Sequence, residues 1–453
     1  MRLLLTLLLT AGIQAAMAQQ DVSPHSPAQN RESGVPSSQN MSGMDMSARQ
    51  SQDRHMPMSS PAEAFLMSES SGTSLQPSAW PMPMLMQQVG RWQLMWMGQV
   101  FLVETQQTGP RGYDKLWSTN WGMLSALHPL GGGAVMLRTM LSLEPLTITN
   151  QWYPLLFQTG ETAHGQPVID GQHPHDFVME LSVQYARKLR DAIWDFYYAP
   201  VGDIALGPPA YPHRASAMEL PQAALGHHWQ DSTHIVNNIV TGGLSWKRLR
   251  LEASGFHGAE PDAFRWDIDF GAMNSYSGRL TVTPSPRWVA QVSAGHLTHP
   301  EALEPGDVNR TTASLEYVRP GSFGNAWAST FVWGRNYKTA GHYGTNSILA
   351  ETDFPIGEKN FLTGRYEWSQ RDELFANDPE LAERLARETG RPYFNISSYV
   401  VGYTRDIATF HNAETGIGMN ISFYSVPEVL MPYYGNHPMG VNIYVRVRLN
   451  PRR

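Results

Sequence analysis

From residue 91 onward, apolar side chains recur at every second position in runs of roughly ten residues, separated by polar stretches. The clearest run is His234 to Gly258, HIVNNIVTGGLSWKRLRLEASGFHG. Leu249, Leu251, Ala253 and Gly255 alternate there with Arg250, Glu252 and Ser254. Upstream, Val236, Val240, Leu244 and Trp246 share a face opposite Asn237, Thr241 and Ser245. Successive side chains of a strand point to opposite faces, so a period of two predicts strands. The stretch is expected to be a hairpin around Lys247-Arg248, with one greasy face and one charged face.

The same alternation predicts a first strand over Arg91–Gln106, with Trp92, Leu94, Trp96 and Val100 outward and Gln93, Met95, Met97 and Gln99 inward. A second strand over 116–127 turns at His128–Gly132 into a third. That third strand sends Val135, Leu137, Leu141 and Leu143 outward and Met136, Arg138, Met140 and Glu144 inward. The stretch FVMELSVQYARKL fits a helix face through Phe177, Leu181, Tyr185 and Leu189, but its place in the series favours a strand. Hairpins follow down to a last strand, where Val441, Ile443, Val445, Val447 and Leu449 alternate with Asn442, Tyr444, Arg446 and Arg448. Asp378, Pro379 and Gly390 bracket a short loop helix. The count is about 16 strands (about 14–18), with short turns and long loops alternating and aromatic residues near strand ends. This predicts an all-β fold, a closed antiparallel transmembrane barrel, whose lumen is polar and of mixed sign.

Composition adds a compartment. The 453 residues include no cysteine, and their formal charge of -7 argues against a nucleic-acid partner. No apolar run reaches the roughly 18 residues of a membrane-spanning helix. Arg2, the Leu3–Leu9 run and Ala16-Met17-Ala18 read as a signal peptide over 1–18. Residues 19–88, rich in Ser, Pro, Gln and Met, are expected to form a disordered tail, and 89–453 the barrel. The expected location is the Gram-negative outer membrane with the tail in the periplasm. Its lipids and the barrel-assembly machinery would be the partners.

Two sets of side chains could hold a metal. In the tail, Met41, Met44, Met46, His55, Met56 and Met58 offer thioether and imidazole, which suit copper, and Cu(I) in particular. On the long-loop rim stand His173, His175 and Asp176, then His227, His228, Asp231 and His234, then His257 followed by Glu260 and Asp262. His234 and His257 close the same end of one hairpin and are expected to be neighbours. Imidazoles at a channel mouth would make it pH-sensitive between about pH 5.5 and about pH 7.5. Met95, Met97, Met136 and Met140 could form a thioether track in the lumen. Replacing Leu251 with Arg should destabilise the barrel, and Glu252→Gln, facing an aqueous lumen, should cost little. No nucleophile elbow, phosphate loop or dinucleotide motif occurs, so no catalytic residue is assigned.

M-S-G-M-D-M and H-M-P-M ahead of a barrel resemble the copper-resistance protein B type of outer-membrane protein. That resemblance implies copper as the bound ion, and copper ions or periplasmic copper proteins as partners. GQHPHD, LGHHWQDSTH, FHGAEPD and NSYSGRL resemble an uncharacterised Gram-negative outer-membrane β-barrel family over most of residues 90–450, which implies no activity. The last strand departs from the usual barrel ending, because Leu449 is followed by Asn450-Pro451-Arg452-Arg453 and not by a terminal aromatic. The expected function is a porin-like barrel passing or handling copper through the Met-rich tail and the His/Asp rim. The alternatives are a general small-solute porin with no metal role and an outer-membrane hydrolase with a His/Asp rim site.

Overall fold

The structure, a computed structural model, describes residues 60–322 and 325–450. The signal peptide and the tail ligands Met41, Met44, Met46, His55, Met56 and Met58 lie outside the described residues.

Alternation builds the wall. The first half comprises β1 (Trp92–Gln107), β2 (Lys115–Leu130), β3 (Gly133–Leu141), β4 (Val178–Leu189), β5 (Ala192–Gly202), β6 (Val236–Trp246), β7 (Leu249–His257) and β8 (Ser275–Ser285). The second comprises β9 (Trp288–Leu297), β10 (Val308–Pro320), β11 (Ala326–Lys338), β12 (Tyr343–Ile356), β13 (Asn360–Arg371), β14 (Phe394–Phe410), β15 (Ala413–Ser425) and β16 (Met439–Leu449). Each strand pairs antiparallel with the next, and β1 closes the ring on β16 from Gln99↔Arg448 to Gln107↔Gly440. The stretch of β1 before that seam, Trp92 to Trp96, pairs with a short preceding strand, Leu85–Val89. The result is the expected closed antiparallel barrel of 16 wall strands, and closure leaves none of those 16 as an open edge strand.

Turns alternate in length as the pattern predicts. One end carries tight connections such as Gly131-Gly132, Arg190-Asp191, Lys247-Arg248 and His411-Asn412. Their first residues take the left-handed backbone that tight hairpins require (φ 58, 55, 54 and 51). The other end carries the long loops 142–177, 203–235, 258–274 and 372–393. Phase along β7 is as expected: Leu251 is 60% exposed, whereas Arg250 and Glu252 are 1% and 2% exposed. FVMELSVQYARKL forms strand β4, and the loop helix α2 (Pro379–Thr389) begins after Asp378 and stops at Gly390 in the left-handed conformation.

Three local expectations change. Val236 does not share the outer face with Val240, Leu244 and Trp246. Asn238 adopts φ 52, the β6–β7 pairing slips between Asn237 and Val240, and Val236 ends buried inside. His128, Pro129 and Leu130 belong to β2, and the turn is only Gly131-Gly132. Residues 60–88 are ordered structure and not tail. Helix α1 (Pro61–Leu66) starts at a reciprocal Ser60–Glu63 capping box. Its Phe65 and Leu66 pack on Met95, Leu127 and Met136 of the wall, and that burial orders the segment.

Candidate functional site

Long loops usually run over the surface, but the loop 203–235 turns into the barrel because the inward wall residues give its polar groups partners. Arg214 donates to Glu351 of β12 at 2.6 Å and to Asp231 at 2.7 Å. Glu219 accepts from Arg446 and, at 2.8 Å, from Arg448 on β16. Glu367 of β13 accepts from the Gly226 amide at 3.1 Å, and Arg279 of β8 donates to the Gly207 carbonyl at 3.1 Å.

The segment 60–84 enters from the short-turn end and meets this loop. Arg138 donates to the Gly72 carbonyl at 2.8 Å, Thr73 to Glu252 at 2.5 Å and Gln184 to Glu69 at 2.9 Å. The Ala210 amide donates to Ser71 at 3.0 Å, which joins the two fillings. Arg214, Arg250, Arg279 and Arg446 are each less than 2% exposed. Arginines facing an open aqueous pore would be wet; these are sealed and paired, as buried charges must be.

This inward fold relocates the histidines. His175, Asp176, His227, His228, Asp231 and His234 are not on the rim but buried, none more than 6% exposed. His173 is nearly so, with 11% of its side chain exposed. They separate into two groups.

In the first group, His175 Nδ1 lies 2.9 Å from Glu144, His227 Nδ1 2.7 Å from Asp231, and His234 Nδ1 2.9 Å from the Asp231 carbonyl. The His234 ring centroid is 5.2 Å from that of His175 and 5.3 Å from that of His227. Despite burial, the Arg214 guanidinium and His227 hold the Asp231 carboxyl well below the usual range. Each carboxylate here is already taken by an arginine, a hydroxyl or an imidazole, so the group braces the loop. Asp176 is bound to Arg265 at 3.3 Å, yet burial pushes its carboxyl up to about 7.

The second group has unfilled valences. Glu161, His173 and His228 present ligand atoms all within 4.8 Å of one another, and so do His228, Glu260 and Glu301. These five residues come from four loops, so no spacing along the chain announces them. Glu161 and Glu301 carry no sequence signal at all, and Glu260 stood out only as a neighbour of His257. Gly160, at φ +109, leaves the space that the His228 ring fills: a Cβ there would lie 3.0 Å from His228 Nδ1. Neither ring nitrogen of His228 meets a hydrogen-bond donor or acceptor, and Glu260 faces the carboxyl of Glu161. Burial holds His228 well below its usual pKa and pushes Glu260 and Glu301 well above theirs, helped by their neighbouring carboxylates.

Two expected members stand apart. His257 pairs across the hairpin with Asn237 and not with His234, which lies in the turn before the strand, and its Nδ1 lies 3.0 Å from the Ala272 carbonyl. Asp262 groups with Asp267 and Asp269 on the 258–274 loop. The expected pH window also loses its source, because burial keeps both His228 and His234 well below the ordinary imidazole value. The lumen methionines are all buried, in two clusters that both pack against Met84. Met95 and Met136 pack on α1, while Met97 and Met140 join Met123 and Met179.

No family model matches the chain, and no curated protein matches it. Solved structures that it resembles are outer-membrane barrels. An anion-selective porin from Comamonas acidovorans is 12% identical with TM-score 0.47, over 79% of this chain and 100% of that one. The outer-membrane channel DcaP of Acinetobacter baumannii is 9% identical with TM-score 0.48, over 80% and 99%. Salmonella typhi OmpF is 9% identical with TM-score 0.46, over 80% and 100%. The selectivity and ligands named for those proteins are theirs alone.

Proposed function

We propose that the chain is a porin-like channel of the outer membrane that is shut at rest by its own loop 203–235 and its segment 60–84. The observation that carries this is the set of lumen-facing arginines, Arg250, Arg279 and Arg446, each less than 2% exposed and bound to carboxylates or to the filling. The membrane assignment rests on the outer face, where Leu251, Val292, Phe331, Val401 and Ile443 are 48–60% exposed. An apolar belt of that extent belongs in hydrocarbon. The short-turn end, which the segment 60–84 enters, faces the periplasm in this reading. Asp231, buried and held by Arg214 and His227, is out of reach of a substrate, so this His/Asp pair does not support the hydrolase alternative.

Planar-bilayer recordings test the proposal. The wild type should show small or rare openings, and removal of residues 60–84 should give larger, longer ones. A wild type that opens as widely as the truncated form would refute it.

One observation favours a second reading, passage of a soft ion such as Cu(I). Met97, Met123, Met140 and Met179 pack with Met82 and Met84, and His213 Nε2 lies 3.0 Å from Met140 Sδ. Thioether with imidazole suits that ion. Copper uptake into vesicles should fall in Met140→Leu; equal uptake removes this reading.

A further inference from the structure

We infer that Glu161, His173, His228, Glu260 and Glu301 form a binding site for one divalent transition ion, of which Zn(II) is the type, and that the ion clasps four loops over the filled lumen.

The first argument is a proton count. His173 Nδ1 lies 2.8 Å from the Pro174 carbonyl, which can only accept, so that nitrogen carries a hydrogen. Its Nε2 then points a lone pair at Glu161 Oε1, 2.9 Å away. Two lone pairs at that distance need a proton or a cation between them. The other Glu161 oxygen is already bound by Arg265 Nη2 at 3.1 Å.

The second argument is the orphaned imidazole. His228 is 3% exposed and neither of its nitrogens is hydrogen-bonded. A buried imidazole with nothing to bind is costly, and a metal ion satisfies it. The third is charge. Glu161, Glu260 and Glu301 bring three carboxylates, whereas Arg265 is shared with Asp176. Arg310 donates to Asn336 and Ser232, and Lys338 to Glu304, Asp372 and Glu373. Arg310 lies near enough to Glu260 and Glu301 to offset one charge, and a divalent ion offsets two more and lets the carboxyls ionise as ligands.

The donor set chooses the ion. Imidazole mixed with carboxylate suits Zn(II), Ni(II) or Cu(II), whereas Mg(II) and Ca(II) take oxygen and Cu(I) takes sulfur. Ligands of one zinc stand about 3–3.5 Å apart. The His173–Glu161 pair is at 2.9 Å already, and within each of the two triads that meet at His228 the donors lie within 4.8 Å of one another, so that small rotations bring them to one ion. His173 also has the outer support usual for a ligating histidine, its second nitrogen being held by a carbonyl. This site stands whether or not the barrel conducts, because binding is read directly.

The test uses the full chain, refolded in detergent, stripped with a chelator and titrated with Zn(II). The wild type should take up one equivalent that His228→Ala lacks or binds at least about 100-fold more weakly. Glu301→Gln, at a partly exposed position, should weaken the same equivalent and guards against a misfolded His228 variant. Zinc-edge X-ray absorption should show nitrogen and oxygen neighbours with imidazole scattering. Equal uptake by wild type and both variants, or sulfur neighbours at the zinc, would overturn the site.

Discussion

Leu251 and Glu252 are adjacent on β7, yet one belongs to the outer wall and the other to the packed interior. The outer residue obeys a local rule: it is apolar because every second side chain of the strand faces lipid. The inner residue obeys a distant one. Glu252 accepts from Arg250 at 3.1 Å, from Arg279 at 3.0 Å, and from Thr73 of the entering segment at 2.5 Å. A strand therefore carries two kinds of information. Its outward half can be read from the strand alone, and its inward half only together with what fills the barrel.

The largest effect expected follows from that inner hub. Glu252→Ala leaves the buried Arg279 without a carboxylate, takes one of the partners of Arg250, which keeps Asp195, and should destabilise the barrel by about 3–5 kcal/mol. Leu251→Arg, one position away, places a charge toward hydrocarbon and should cost about 2–4 kcal/mol. Guanidinium unfolding of both variants, refolded into lipid vesicles, ranks the two. If Glu252→Ala costs clearly less than Leu251→Arg, the interior is wetter than described and the comparison fails. Glu252→Gln, which an aqueous lumen would tolerate, should also be destabilising, because an amide cannot balance both Arg250 and Arg279.

Legibility divides along the same line. Strand number, alternating turn length and the inward phase of Met95, Met97, Met136 and Met140 could be read because period two is local and repeated. The Asn238 bulge could not, since one left-handed residue shifts phase without changing composition. The segment 60–84 was hidden by its Ser/Pro-rich surroundings, although Ser60 and Glu63 gave a capping-box signal at its start. Histidine runs drew notice to His173 and His228, but placed them on the rim. Their partners Glu161, Glu260 and Glu301 come from three loops, and only the inward fold brings them together.

A smaller effect, confined to those loops, should depend on pH with the sign that raised carboxyls set: order at low pH and loosening as pH rises. Burial pushes Asp176 up from 3.8 to about 7, and pushes Glu260 and Glu301 up as well. A carboxyl whose folded value is raised favours the folded loops while protonated. That stability is complete below the unfolded value and is lost as pH rises through the folded one. Metal-free protein should therefore show loops 142–177 and 258–274 loosening between about pH 5 and about pH 8. Zn(II) binds the deprotonated carboxylates and should reverse the trend. Hydrogen exchange at both pH values, corrected for intrinsic rate, reads this out. Loops equally protected with and without pH change would separate the carboxyls from loop order.

The smallest effect belongs to the part of the long-loop end that could be read locally. Helix α2 starts where Asp378 accepts from the Leu381 amide at 3.1 Å, has Pro379 in its first turn, and ends at Gly390 with φ 68. Each of these is a local signal, and the helix formed where they predicted. Only Leu385 of the helix is buried, against a cluster that includes Phe375 and Phe394. Asp378→Ala removes one cap on an exposed helix and should cost about 1 kcal/mol. The loss should be felt as roughly fivefold faster exchange within 379–389, while the unfolding midpoint of the barrel stays where it was. A loop built on local signals can fray alone; the loop 203–235, tied to β8, β12, β13 and β16, cannot. A shift of the global midpoint by Asp378→Ala, approaching that of Glu252→Ala, would mean that the two loops belong to one cooperative unit and that the contrast between local and distant order does not hold at this end of the barrel.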